Sequence, residues 1–61
     1  MDYSKAIKDY RERNFLTQTD LAELLGVSFT TVNRWENGKF EPTMKMKKKL
    51  NDLFKKETGI E

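Results

Sequence analysis

Three residues, Gly26, Val27 and Ser28, join the apolar stripe of Leu21, Ala22 and Leu25 to that of Val32 and Trp35. Both stripes have helical spacing. Thr17 stands as an N-cap with Asp20 three residues on, so the first helix is predicted over 18–25. Gly26 ends it, because a residue without a Cβ takes a positive φ at least cost. Ser28 caps the second helix, predicted over 29–37, and Asn37-Gly38 stops it. Helices joined this tightly cannot run antiparallel and must cross steeply. Ala22 is then small because the second helix passes close to it, and Leu25 and Val27 plug the corner.

The flanking segments are helical too. Tyr3, Ile7, Tyr10 and Asn14 recur at steps of four, three and four, with Ala6 beside them, which predicts a helix over 4–13. Asn14 is the expected stop, since Asn tolerates the left-handed conformation. Lys39–Pro42 reads as a loop. A last helix is predicted over 43–57, with Met46, Leu50, Leu53 and Phe54 inward, Lys45, Lys48, Lys49, Lys55 and Lys56 on the opposite face, Lys47 at the flank and Gly59 closing it. No stretch alternates with period two. The expected fold is all-α: one compact bundle of four short helices over residues 1–61, with the paired helices at about 17–37 as its centre.

Composition removes most kinds of chemistry. A chain of 61 residues folds alone only marginally, burying about 60% of the surface its unfolded form exposes. It has no Cys and no His, so disulfides, thiolate metal sites and most catalytic nucleophiles and bases are gone. Neither a membrane-spanning stretch nor a signal peptide is expected from the apolar pattern of these residues. The expectation is a soluble cytoplasmic protein that is not an enzyme, has no cofactor or metal, and has no evident small-molecule ligand. Net charge is +2, unevenly placed: residues 1–26 hold four Lys/Arg against five Asp/Glu, and residues 27–61 hold eight against five. A basic C-terminal side suits a polyanion.

The segment LTQTDLAELLGVSFTTVNRWENG, from Leu16 to Gly38, resembles the helix-turn-helix domain of the phage repressor and Cro type, the XRE family. The resemblance rests on Thr17-Gln18, Leu21-Ala22, Leu25-Gly26-Val27-Ser28, Val32, Trp35-Glu36-Asn37-Gly38 and Pro42. It implies a lambda-repressor-like bundle of four or five helices. It also implies double-stranded DNA as partner, commonly bound as a homodimer on a palindromic site. Family members usually have a shorter fourth helix and a fifth that caps the core. This chain is therefore expected to be a four-helix variant or the DNA-binding part of a longer protein.

The outer face of the second paired helix carries Phe29, Thr30, Thr31, Asn33 and Arg34. It is poor in the Lys and Glu of ordinary solvated faces. Arg can donate twice to guanine, Asn can pair with adenine, and Thr or an aromatic ring can meet a thymine methyl. The resemblance assigns base reading to Phe29, Thr30 and Arg34, with Asn33 close by. Phe29 either touches a thymine methyl or packs locally. The resemblance places Thr17, Gln18, Thr31, Asn37 and Lys39 on phosphates, with Gln18 also bracing the reading helix. It further pairs Arg11 with Glu36 as a structural ion pair. Trp35, on the Val32 stripe, is expected in the core. The reading that follows is a sequence-specific transcriptional regulator, more readily a repressor. Its rivals are a targeting module of a DNA-modifying enzyme, an interaction domain that has lost DNA binding, and a basic amphipathic helix lying on acidic lipid.

Overall fold

Ile7, Leu21, Val32 and Leu50 have no exposed surface, and each comes from a different helix of the chain. The computed structural model describes residues 2–58. In order these are α1 (Tyr3–Arg13), α2 (Gln18–Leu25), α3 (Phe29–Glu36) and α4 (Met44–Thr58). Among the described residues there is no strand. Tyr10, Ala22, Leu25 and Trp35 complete the buried core, and Tyr3, Leu16, Val27, Met46, Leu53 and Phe54 pack around it. Burying each large apolar side chain contributes about 1.5–3 kcal/mol. The Tyr10 and Phe54 rings meet at 5.5 Å between centroids, tilted by 52°. The helix predicted over 43–57 runs from Met44 to Thr58, and Gly59, expected to close it, lies outside the described residues.

Caps define the helix starts. Thr17 Oγ1 accepts from the Asp20 amide at 3.0 Å, and the Asp20 carboxylate accepts from the Thr17 amide at 3.0 Å. This reciprocal box satisfies two donors that a helix start leaves unpaired. Ser28 Oγ accepts from the Thr31 amide at 3.1 Å. Asp2, which periodicity did not single out, caps α1 and draws its start back to Tyr3. Thr43 sits just outside α4 and its hydroxyl accepts from the Met46 amide at 3.3 Å.

One hydrogen-bond pattern closes α1, α2 and α3. The amides of Leu16, Val27 and Lys39 reach back to the carbonyls of Arg11, Ala22 and Arg34 at 2.9, 2.9 and 3.0 Å. Such a closure needs a left-handed residue just before the donor. Gly26 (φ 75°) and Gly38 (φ 73°) supply it for α2 and α3. In α1 the left-handed residue is Phe15 (φ 57°), where Asn14 was expected. Asn14 has φ −101°, and its amide group donates to the Tyr10 carbonyl at 2.8 Å and to Glu57 at 2.9 Å. Held by both, it leaves the reversal to the next residue. Glu57 also takes a forked pair from Arg13 at 2.7 and 2.9 Å, which ties the ends of α1 and α4. The Arg13 hydrogen bonds hold the Glu57 carboxyl below its ordinary range.

α3 is anchored to α1 through a forked ion pair. Arg11 Nε and Nη2 donate to the Glu36 carboxylate at 2.7 and 3.0 Å, and Arg11 Nη1 donates to the Leu16 carbonyl at 3.1 Å. The two side chains are only 16% and 5% exposed. Ser4 Oγ donates to the Glu36 carbonyl at 2.7 Å, fixing the same helix end from the start of α1. Burial pushes the Glu36 carboxyl up. The hydrogen bonds from Arg11 and Gln18 and the Arg11 charge outweigh that, so the group lies below its ordinary value of 4.5.

Three substitutions test these features of the fold. Phe15 is 93% exposed, so Phe15→Gly removes left-handed strain and no packing. It should raise stability by about 1 kcal/mol in denaturant unfolding; a loss would show that the ring makes a stabilising contact. Arg11→Met should cost about 3 kcal/mol by stranding a buried carboxylate. The folded Glu36 carboxyl titrates below its unfolded value, so its stabilisation is complete above pH 4.5 and fades as the pH falls through the lower folded value. Melting curves of the wild type and Glu36→Gln should therefore differ by a constant amount near neutrality and converge in acid.

Candidate nucleic-acid interface

A helix of eight residues shows two unlike faces when two neighbours cover one side of it. In α3, Val32 and Trp35 point into the core, while Phe29, Thr30 and Arg34 are exposed. Phe29 keeps half its surface open. Thr31 is half-buried and its Oγ1 shares a hydrogen bond of 2.9 Å with Ser28 Oγ.

Asn33, expected with the outward readers, is half-buried and held at both ends of its amide. Its Nδ2 donates to Gln18 Oε1 at 3.2 Å, and its Oδ1 accepts from Asn37 Nδ2 at 2.9 Å. Gln18 Nε2 in turn donates to Glu36 Oε1 at 3.1 Å. Asn37, Asn33 and Gln18 thus form a relay in which each amide donates to the next, ending on the carboxylate that Arg11 also grips. Every donor points toward the negative charge, so the bonds polarise one another in one sense. The relay fixes the start of α2 against the C-terminal half of α3. Among the described residues no buried side-chain nitrogen or oxygen lacks a partner. Periodicity could not reveal this relay, because Gln18, Asn33 and Glu36 lie on different helices or different turns and meet only through the crossing.

The remaining candidates lie at the rim. Thr17 caps α2, and by helix geometry the amides of Gln18 and Thr19 in its first turn have no acceptor within the helix. That end carries a partial positive charge suited to a phosphate. Asn37 and Lys39 are exposed at the far end of α3. Two aromatic contacts escaped the sequence reading. The Arg34 guanidinium lies 5.3 Å from the centroid of Phe40, in the loop after α3, and Thr31, Arg34, Trp35 and Phe40 line a shallow hollow. Lys47 lies 5.4 Å from the Tyr3 ring and 3.3 Å from Glu41. Among the described residues no three His, Cys, Asp or Glu side chains gather as a metal site, and no helix is long and apolar enough to cross a membrane.

The sequence is similar to those of known proteins. The helix-turn-helix family model matches residues 7–59. An uncharacterised HTH-type transcriptional regulator of Methanocaldococcus jannaschii is 44% identical over 48 residues, covering 79% of this chain and 73% of its own. The HTH-type transcriptional activator BcrR of Enterococcus faecalis is 37% identical over 54 residues, which is 88% of this chain but 26% of that protein. The chain thus spans about three quarters of one curated relative and about a quarter of the other. No solved structure matches the chain. With its short Gly26 turn, its packed α2 and α3 and this match over most of its length, the chain belongs to the helix-turn-helix family of the XRE type.

Proposed function

We propose that this domain binds double-stranded DNA with sequence preference and regulates transcription by doing so. The observation that carries the reading is the outer face of α3. A braced helix presents Phe29, Thr30 and Arg34 on its exposed side. Arg34 suits the O6 and N7 acceptors of guanine, and Thr30 and the open half of Phe29 suit thymine methyls. Asn33 holds this face in place from behind and does not read directly.

Phosphate contacts set register and affinity. We assign them to Thr17 and the first-turn amides of α2, to Gln18 and Thr31, and to Asn37 and Lys39 beyond α3. Two such domains in a homodimer would place their reading helices in successive major grooves about 34 Å apart on a palindromic site. A domain seated across a promoter represses by occlusion. One relative is named a transcriptional activator, which keeps activation as the alternative sign of regulation. Both relatives are named as transcriptional regulators, which supports regulation over targeting of a DNA-modifying enzyme.

Selection of bound sequences from a random DNA pool tests the proposal. A preferred site with two inverted half-sites is expected, and retention of no sequence above background would overturn it. On the selected site, Arg34→Ala should remove about 1–3 kcal/mol of discrimination at one guanine while leaving non-specific binding nearly unchanged. An equal loss on every sequence would move Arg34 to a phosphate. Affinity should fall linearly with salt on logarithmic axes, as counterion release demands.

A further inference from the structure

We propose that Phe40, which lies outside the helix-turn-helix, positions the Arg34 guanidinium for base reading by holding it against the face of its ring. This role rests on the DNA-reading function proposed above and names the residue that sets its precision.

The chain has three arginines, and their surroundings differ in kind. Arg11 has its fork filled by Glu36 and Arg13 has its fork filled by Glu57. Among the described residues Arg34 meets no carboxylate. Its side-chain partner is the Phe40 ring, 5.3 Å from centroid to guanidinium carbon. Glu41, next along the chain, is turned to Lys47 instead, at 3.3 Å. The chemistry of the two kinds of partner is opposite. A carboxylate occupies the N–H edge of the guanidinium, the same edge that reads guanine. An aromatic face attracts the cation through its π-system and leaves the N–H edge free. Phe40 therefore restricts a long, flexible side chain without consuming its donors. It is itself 58% exposed, an apolar ring held outside the core, and with Thr31, Arg34 and Trp35 it lines a shallow hollow. Freedom lost before binding is not lost again on the DNA, so the restriction favours the guanine contact.

The test compares the wild type with Phe40→Leu and Phe40→Tyr, each alone and combined with Arg34→Ala, on the DNA selected from the random pool by the wild type. Phe40→Leu keeps an apolar side chain and removes the ring. It should lower the preference for guanine at the Arg34-dependent position by about threefold, in line with an exposed cation–ring contact. Phe40→Tyr should restore the preference, and neither substitution should change it further once Arg34 is alanine. In the free protein, the Arg34 δ-methylene protons should be shifted upfield by the ring and should return to ordinary positions in Phe40→Leu. A selective wild type matched by an equally selective Phe40→Leu would overturn the role of Phe40 and leave the DNA-reading function standing. So would an equal loss of preference in the Arg34→Ala background, or the absence of the upfield shift. A wild type that prefers no sequence would remove the function and this role together.

Discussion

Glu36 belongs to α3, accepts two hydrogen bonds from Arg11 of α1 and a third from Gln18 of α2, and is almost wholly buried. The rest of the structure is arranged around that junction. A charge in such a place is tolerable only when its oxygens are filled, and the geometry fills them. The apolar core alone would allow α3 to slide or rotate by small amounts, because burial is insensitive to direction. Hydrogen bonds are not, and three of them from two helices define one position. The relay from Gln18 through Asn33 to Asn37 ties the last turn of α3 to the start of α2 as well. A reading helix requires this, since base edges discriminate only against donors held in a fixed frame.

The turns provide the second constraint. Three helices end in the same backbone closure, and two of them use glycine where the left-handed residue must stand. At the end of α1 a phenylalanine occupies that position with its ring in solvent. The closure forms all the same, because the Tyr10 carbonyl and Glu57 hold Asn14 just before it. Tertiary bonds override a local preference worth about 1–2 kcal/mol.

Much of the fold could be read along the chain. The bounds of α2 and the stops at Gly26 and Gly38 follow from residues that act on their immediate neighbours: Thr17, Ser28 and two glycines. The buried stripe of Val32 and Trp35 follows from helical period, and so does the inward face of α4 at Leu50. The outward set was only partly legible. Asn33 lies between the two faces of α3, and nothing in its spacing says that Gln18 lies within reach of its amide. Phe40 was invisible for the same reason: as a loop residue, it carries no periodicity, and its ring gains meaning only where the guanidinium of Arg34 lies over it.

By itself, then, the amino-acid sequence determined four helices, the tight corner between the second and third, and which stripes turn inward, because capping, glycine turns and amphipathic period are short-range effects. Only the tertiary structure decided which polar side chains brace α3 and which remain outside. A half-buried amide takes its role from partners on other helices, and those partners are set by how the helices cross.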